Sequence, residues 1–413
     1  MNFNYTNKLF IFLILFLVCS CQTIENYKKT NSSDDFNVSY ETKDLIDLFE
    51  SKNNQDNLID YYSNFKILNF KFQKKIPKKI TINNFKSKYQ TSNPLKIFII
   101  DDMVYSVDSN ANFKIYNFYT GKLDKSFKLL IDDIEIEQQP TSFSLFNDSF
   151  LISFDNGLLL MIDKTGKIIW FKKFNKLLKT PVKIIDSNFI LLFGDTIKSI
   201  SSSNGKELWS ISIQESEIYQ SKGGLMHNFA NLLYFVMPNS AFGEIDTLIG
   251  KKNISNLNTI KLNTSSNNSH DKIYVYDNYF IYFDDQRTLF TYDIFENNFI
   301  LDGFKINNVT SFDFYNNSII VKKNQKLISY NTLNGKIFWS IDLNKIIDKK
   351  AKIIKIKSYN SKLYVFFSNG KIISIDNNIL SEVYDLKTKN INLLYFQNNH
   401  LLVSTENGKT TIF

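Results

Sequence analysis

The sequence has few of the residues from which covalent bridges, metal sites and catalytic centres are built. Its 413 residues include only two cysteines, three histidines, three tryptophans and five prolines. Cys19 and Cys21 both lie in the N-terminal segment, so the remaining chain has no thiol for a disulfide, a redox pair or a thiolate metal site. The histidines, His227, His270 and His400, stand 43 and 130 residues apart, which is not a spacing of metal ligands.

Familiar catalytic patterns are missing as well. The chain contains no His-Glu-x-x-His, no Gly-x-Ser-x-Gly and no glycine-rich phosphate loop. The acidic stretch "DDIEIE" from Asp132 to Glu137 is interpreted as a solvated loop between repeats rather than a cation site. We therefore expect no catalytic residues, no metal site and no cofactor.

The N-terminus has the composition of an export signal. After the polar "MNFNYTNK", the ten apolar residues "LFIFLILFLV" are too few to cross a hydrocarbon core of ~30 Å. The "CSCQ" that follows resembles a bacterial lipoprotein box, with Val18 at −3, Ser20 at −1 and Cys21 as the residue that becomes lipid-modified. We predict a signal peptide over residues 1–20 and cleavage before Cys21. The alternative is an ordinary signal peptide with two incidental cysteines.

Export also changes the interpretation of charge. Residues 21–64 are polar and rich in Asn, Ser, Asp and Lys, which predicts a tether. Gln22 after the cysteine resembles Gram-negative lipoproteins delivered to the outer membrane, so we predict a lipid-anchored protein on the periplasmic face of the cell outer membrane. A net charge of +8 would suggest nucleic-acid binding in a cytoplasmic protein. Because we expect this chain to be exported, we do not interpret the charge as a nucleic-acid-binding signal. The densest basic run, Gln73–Lys79, is interpreted as a solvated edge.

Aromatic residues, in contrast, are abundant. The 38 Phe and 22 Tyr, against only 13 Gly, favour strands. From about Phe65 onward, short apolar runs alternate with turns, and a tight hairpin recurs at intervals of 38 to 46 residues. Eight units of this length, each with room for four strands, predict an all-β, eight-bladed β-propeller of four-stranded blades over residues 65–413. The residues that mark the hairpins are Asn110, Asn156, Asp195, Asn239, Asp285, Asn324, Asn369 and Asn407.

Every tryptophan stands in the same short phrase, four residues after a glycine and three after a lysine. The glycine closes the turn between the third and fourth strands, where a left-handed conformation excludes most other residues. The tryptophan then lies on the outer strand, where its ring covers the seam towards a neighbouring blade. A cofactor-stacking role is disfavoured because the three rings would lie far from any common point. The three pairs are Gly166 and Trp170, Gly205 and Trp209, and Gly335 and Trp339.

The last unit has no sequence for a fourth strand. It stops at Phe413, after its third strand, and would leave an edge open for pairing. The segment "KKITINNF", from Lys78 to Phe85, precedes the first unit and is the natural replacement. We predict that this N-terminal strand pairs beside Thr410–Phe413 and closes the ring.

These features together resemble the pyrroloquinoline-quinone-type propeller superfamily, whose repeat ends in Thr/Asn-Gly-Lys-x-x-Trp. Within it, the chain most resembles the BamB family of outer-membrane assembly lipoproteins, over signal peptide, lipoprotein box, eight units and ring closure. The resemblance implies a non-enzymatic scaffold that is monomeric on its own. Its implied partners are the periplasmic POTRA domains of the pore protein BamA and the other lipoproteins of the β-barrel assembly machinery.

Two other functions remain open on the same fold. A quinone-dependent dehydrogenase is similar in its repeats, but such enzymes are typically longer and usually place a vicinal Cys–Cys pair and calcium ligands at the cofactor. Here both cysteines belong to the signal region. The other alternative is a surface lipoprotein that binds a carbohydrate or a host ligand.

The resemblance also suggests a binding face. In that family the POTRA domain docks on loops between successive blades, one of which carries an Arg-Gly pair soon after a Gly-Lys-x-x-Trp phrase. The equivalent loop here follows Trp209, and Lys222 replaces the arginine without its bidentate fork. The alternative is an ordinary solvated loop whose glycines serve a turn. With the next loop included, the candidate partner-binding residues are Lys222, Gly223, Gly224, His270 and Asp271.

Overall fold

The fold is seen in a computed structural model that describes most of the chain from residue 80 onward. The described residues are 80–83, 95–131, 134–136, 138–178, 180–185, 187–212, 225–229, 232–236, 242–247, 251–252, 272–284, 286–296, 298–359, 361–397 and 400–413. The predicted signal peptide and tether, residues 1–20 and 21–64, lie outside them. Within the described ranges, no helix has the length and apolar character needed to cross a bilayer.

All regular elements of the described chain are β-strands, 34 in number. Thirty-two of them form eight four-stranded antiparallel sheets, and the other two form a short hairpin. The eight sheets are the blades of a ring, which confirms the predicted eight-bladed β-propeller. We letter the strands of each blade A to D from the centre outwards.

The strands have the following bounds. Blade 1 contains β2 (Phe98–Ile100), β3 (Met103–Val107), β4 (Asn112–Asn117) and β5 (Leu123–Lys128). The extra hairpin contains β6 (Leu130–Ile131) and β7 (Ile134–Glu135). Blade 2 contains β8 (Pro140–Phe146), β9 (Ser149–Phe154), β10 (Leu158–Asp163) and β11 (Ile168–Lys173). Blade 3 contains β12 (Lys183–Ile185), β13 (Asn188–Leu192), β14 (Thr196–Ser201) and β15 (Glu207–Ser212). Blade 4 contains β16 (Leu225–Phe229), β17 (Leu232–Val236), β18 (Phe242–Asp246) and β19 (Lys251–Lys252).

The second half of the ring repeats this plan. Blade 5 contains β20 (Lys272–Tyr276), β21 (Tyr279–Phe283), β22 (Thr288–Asp293) and β23 (Asn298–Lys305). Blade 6 contains β24 (Val309–Tyr315), β25 (Ser318–Lys323), β26 (Lys326–Asn331) and β27 (Ile337–Asp342). Blade 7 contains β28 (Ile353–Tyr359), β29 (Lys362–Phe367), β30 (Lys371–Asp376) and β31 (Ile379–Asp385). Blade 8 contains β32 (Ile391–Gln397), β33 (His400–Thr405), β34 (Lys409–Ile412) and β1 (Ile80–Asn83).

The recurring hairpins connect strands B and C of the blades. Six of the eight marker residues lie in described turns between those strands: Asn110, Asn156, Asp195, Asn324, Asn369 and Asn407. The other two, Asn239 and Asp285, lie outside the described residues. Asn324 has a φ of 56°, the left-handed conformation that Asn tolerates better than most residues. The period read from the sequence is therefore the period of the blades.

The ring is closed by the N-terminal strand, as predicted. β1 pairs antiparallel with β34 and supplies strand D of blade 8, with Ile80 opposite Ile412 and Asn83 opposite Lys409. Ile82 is buried in an apolar cluster that joins blades 8 and 1. The two ends of the described chain are thus held in one sheet.

The core of the molecule is divided among the seams between blades. Eight apolar clusters of described residues each join two consecutive blades, including blades 8 and 1. In strands B and C most side chains are buried on both faces, because each sheet packs between two neighbours. Strand D alternates between half-buried and exposed side chains, as in β11. Strand D therefore forms the outer wall.

Candidate partner-binding face

The two rims of the ring differ in the connections they carry. One rim, the turn face, carries the A–B and C–D turns. The other, the link face, carries the B–C turns and the links from strand D to strand A of the next blade. Leu225 and Lys272 open blades 4 and 5, and they pair with Val236 and Phe283, the last residues before the B–C turns. The links that precede both blades therefore lead into the same face.

The candidate binding residues belong to those two links. Link 213–224 would contain Lys222, Gly223 and Gly224, and link 253–271 would contain His270 and Asp271. All five lie outside the described residues, so the binding site stays a prediction. The described strands show only where the two links end, which is at the link face of the successive blades 4 and 5.

Two of the repeated tryptophans reach into the following blade. The Trp170 indole Nε1 donates a hydrogen bond of 2.8 Å to the carbonyl of Ser202, in the C–D turn of blade 3. Trp209 donates in the same way to the carbonyl of Thr247 in blade 4, at 3.2 Å. Trp339 packs against the apolar cluster between blades 6 and 7. The C–D turn of blade 7, which follows it around the ring, is short and consists of Asn377 and Asn378. All three rings therefore contribute to seams of the fold.

The glycine before each tryptophan receives an aromatic ring from the preceding blade. Gly166, Gly205 and Gly335 have φ values of 85°, 67° and 70°. A Cβ added to Gly205 would lie 3.0 Å from the Trp170 ring, and one added to Gly335 would lie 3.0 Å from the Phe304 ring. Each glycine is thus required both for the turn and for the close approach of a ring.

Polar side chains join the inner strands of blades 5, 6 and 7. Lys272 Nζ lies 3.0 Å from Asp313 Oδ1 and donates to the carbonyl of Phe312 at 3.2 Å. The other carboxylate oxygen of Asp313 accepts the backbone N–H of Ile356 at 3.0 Å. Burial would raise the pKa of the Asp313 carboxyl, but the charges of Lys272 and Lys355 with these hydrogen bonds hold it below its usual value. Asp313 is therefore a charged, structural tie across two seams.

At the seam between blades 8 and 1, side chains of blade 8 form hydrogen bonds to the backbone of blade 1. The Tyr395 hydroxyl accepts the N–H of Ile97 at 2.6 Å and donates to its carbonyl at 2.9 Å. The Gln397 amide does the same for Ile99, at 3.0 and 3.1 Å. These residues could not be identified from the sequence, because no local pattern marks a contact between residues 298 positions apart.

Among the described residues, the remaining polar groups do not converge on a metal site. His227 lies on β16 in blade 4 and His400 on β33 in blade 8, four blades apart. In the part of the chain that the structure describes, no three His, Cys, Asp or Glu side chains are grouped as metal ligands. The polar side chains described above instead join neighbouring blades.

Comparisons with known proteins extend this description at the level of the fold. No protein-family model matches the chain, and no curated protein matches it in sequence. Among solved structures, BamB from Moraxella catarrhalis is similar with a TM-score of 0.55 and 14% identity, covering 81% of this chain and 98% of that one. The computationally designed Ika8 protein gives a TM-score of 0.57 and 13% identity, over 81% and 99% of the two chains.

The fold is also shared by a eukaryotic protein. Saccharomyces cerevisiae Sqt1 gives a TM-score of 0.53 and 10% identity, over 81% of this chain and 95% of that one. At these identities the similarity is one of fold. The chain has a BamB-like propeller fold, and its function has to be argued from its own residues.

Proposed function

We propose that this protein is a non-enzymatic scaffold lipoprotein of the outer-membrane β-barrel assembly machinery. The observation that carries the proposal is the combination of a lipoprotein box at Cys21 with a BamB-like propeller closed by an N-terminal strand. A propeller of this kind offers a rigid ring with loops on two faces, which suits the holding of partner domains. The lipid chains on Cys21 would keep it at the periplasmic face of the outer membrane.

The proposed partners are the POTRA domains of the pore protein, bound on the link face at blades 4 and 5. Lys222 would supply a positive charge at the contact, and Gly223 and Gly224 would let the backbone approach closely. We expect Lys222→Glu to weaken binding of the cognate POTRA domains by ~1–3 kcal/mol, because it reverses a charge within the contact. Calorimetric titration measures this change.

The matched control for this variant is Lys206→Glu. Lys206 is exposed in the C–D turn of blade 3, on the opposite face. It should bind the POTRA domains as the wild type does, and both variants should keep the wild-type melting temperature. Equal affinity of Lys222→Glu and wild type would move the interface to another part of the ring.

The broader proposal is tested by purification of the native protein from outer membranes. Mass spectrometry of the mature N-terminus should find a diacylated Cys21, and Cys21→Ala should leave an unprocessed precursor. The pore protein should be recovered with the native lipoprotein. Recovery of the protein alone, together with quinone-dependent oxidation of an alcohol, would favour a dehydrogenase instead.

A further inference from the structure

Exposed lysines are concentrated on the link face around blade 7. Two successive links, 343–352 and 386–390, lead into and out of this blade. Their exposed lysines are here called the blade-7 lysine surface: Lys345, Lys349, Lys350, Lys352, Lys387 and Lys389. Four carboxylates lie on or beside it, those of Asp342, Asp348, Asp385 and Glu406. Asp385 is already shared by Lys371 at 2.9 Å and Lys387 at 3.0 Å, so positive charge remains in excess.

The two links form one surface because both are bonded to the same B–C turn. The N–H of Ser368 donates to the carbonyl of Lys352 at 2.8 Å, and the Ser368 hydroxyl accepts the N–H of Lys352 at 2.9 Å. From the other link, the N–H of Ile391 donates to the Ser368 carbonyl at 2.9 Å, and that of Leu386 to the Gly370 carbonyl at 2.9 Å. The lysines of both links therefore lie around a single turn.

This turn also fits closely beneath the second link. A Cβ added to Gly370 would lie 2.0 Å from the carbonyl oxygen of Thr388, and Gly370 has a φ of 84°. Only glycine allows this approach. Link 386–390 is consequently fixed over blade 7 with Lys387 and Lys389 on its outer side.

The first link is held by one buried and one half-buried side chain, those of Lys322 and Gln325. Lys322 is fully buried, and its Nζ donates to the carbonyl of Lys349 at 2.7 Å. Burial lowers the pKa of the Lys322 ammonium, although the charge of Asp348 opposes this shift. Gln325 Nε2 donates to the carbonyl of Ile347 at 3.1 Å. These bonds fix the backbone from which Lys349 and Lys350 project, so little ordering is needed when a partner binds.

From this arrangement we infer that the blade-7 lysine surface is a second docking site, for a protein segment rich in Asp and Glu. Its lysines present single charges on flexible stems and no bidentate fork, since the only arginine of the chain is Arg287 in blade 5. A lysine ammonium group can pair with a carboxylate in many geometries. The site therefore recognises the density of negative charge more than one sequence, and its binding weakens as salt is added.

A protein segment fits this surface better than a bilayer. None of the exposed large apolar side chains of the described residues lies on either link, so the surface has nothing to insert among lipids. In addition, Ile80 opposes Ile412 at the turn-face end of β34, whereas Asn83 lies at the link face. The described N-terminal strand thus begins at the face opposite the lysines.

The test compares two variants that each remove four positive charges. In the first, Lys345, Lys349, Lys350 and Lys389 are changed to Gln, which preserves the ion pair between Lys387 and Asp385. In the second, the control, four exposed C–D-turn lysines of the turn face are changed to Gln: Lys122, Lys167, Lys206 and Lys336. The probe is a fluorescein-labelled peptide of ten glutamates, and its anisotropy is measured with the full-length protein at 50 and 300 mM NaCl.

We expect the first variant to bind the peptide about tenfold more weakly than wild type at 50 mM NaCl, because four exposed charge pairs are lost. The control should stay within about twofold of wild type. Equal weakening in both variants would overturn the proposal, since binding would then follow total charge. Binding to vesicles of phosphatidylglycerol and phosphatidylethanolamine is measured as well. The proposal would also be overturned if the first variant bound these vesicles more weakly than wild type but bound the peptide as wild type does. A Lys349→Gln/Lys350→Gln pair and urea unfolding check that any loss is not a loss of fold.

Discussion

At the scale of single residues, the seams explain why so few glycines and tryptophans occupy such regular positions. Gly166 has a φ of 85°, and a Cβ there would lie 1.9 Å from Phe127 Cζ in the preceding blade. The same relation holds for Trp170 over Gly205. A ring on one blade and a missing side chain on the next form one contact. The phrase therefore recurs along the chain because both the turn and the contact between blades require a glycine at this position.

This contact predicts a steric cost at Gly166 that can be separated from the cost of its backbone conformation. Gly303 has a φ of 83°, but a Cβ there would have no neighbour closer than 3.7 Å. Gly303→Ala should therefore lower the free energy of unfolding by about 1 kcal/mol, through the left-handed backbone alone. Gly166→Ala should lower the free energy of unfolding by about 1–3 kcal/mol more than Gly303→Ala does, because the Phe127 ring has to move. Urea unfolding of both variants measures the difference, and equal losses would show that the ring moves freely.

The sequence predicted the turn and the seam at these positions, but not the partners of each ring. Phe127 and Phe304 occupy positions where no tryptophan phrase occurs, and they cover Gly166 and Gly335. A sequence period locates a residue within its own blade. The ring that approaches it from the neighbouring blade depends on packing across the seam, which the period does not contain.

At the scale of strands, acidic side chains stabilise the ends of strands C and D. Asp163 ends β10, and its Oδ1 accepts the N–H groups of Thr165 and Lys167 at 2.8 and 2.9 Å. Asp385 ends β31, accepts the N–H of Lys387 at 2.8 Å and pairs with Lys371 on β30. The Asp163 bonds connect strand C of blade 2 to the following turn, and the Asp385 bonds connect strand D of blade 7 to strand C and to the following link.

The Asp385 carboxylate should make stability depend on pH in a defined window. Burial alone would raise its pKa, but the N–H of Lys387 and the ammonium groups of Lys371 and Lys387 lower it to about 2. A lowered pKa contributes stability above the unfolded pKa of about 4, and this contribution disappears as pH falls through about 2. At pH 7 the contribution is about 2 kcal/mol.

Asp385→Asn keeps the acceptor oxygen and removes only the charge. It should unfold at lower urea than wild type at pH 7, and the two proteins should converge as the pH falls from about 4 to about 2. Asp376→Asn is a suitable control, because the Asp376 carboxylate on the same blade makes a long contact of 3.9 Å with Lys362. A constant difference between Asp385→Asn and wild type at every pH would assign the effect to packing instead of charge.

At the scale of the whole molecule, the number of blades and the closure of the ring could be predicted because both follow from the order of short patterns along the chain. The last unit supplies three strands of blade 8, and the segment before the first unit supplies the fourth. The side-chain ties of Tyr395 and Gln397 could not be predicted, since they depend on how blades 8 and 1 meet. The candidate partner-binding links remain a prediction because the period fixes their place in the chain but not their conformation.

Ring closure itself should limit the stability of the molecule, because blade 8 is completed by pairing the N-terminal strand β1 with β34, the last strand of the chain. Thr81 and Thr411 are directly paired within blade 8, with their hydroxyl oxygens 3.4 Å apart, and they stand 330 positions apart in the sequence. Apart from Cys19 and Cys21 the chain has no cysteine, so Thr81→Cys/Thr411→Cys in a chain that begins at Gln22 introduces a single pair of thiols. The oxidised form should gain about 2–4 kcal/mol over the reduced form, because the disulfide constrains a very long loop in the unfolded state. Urea unfolding with and without dithiothreitol makes the comparison within one protein, and identical midpoints would mean that the ring unfolds without releasing β1.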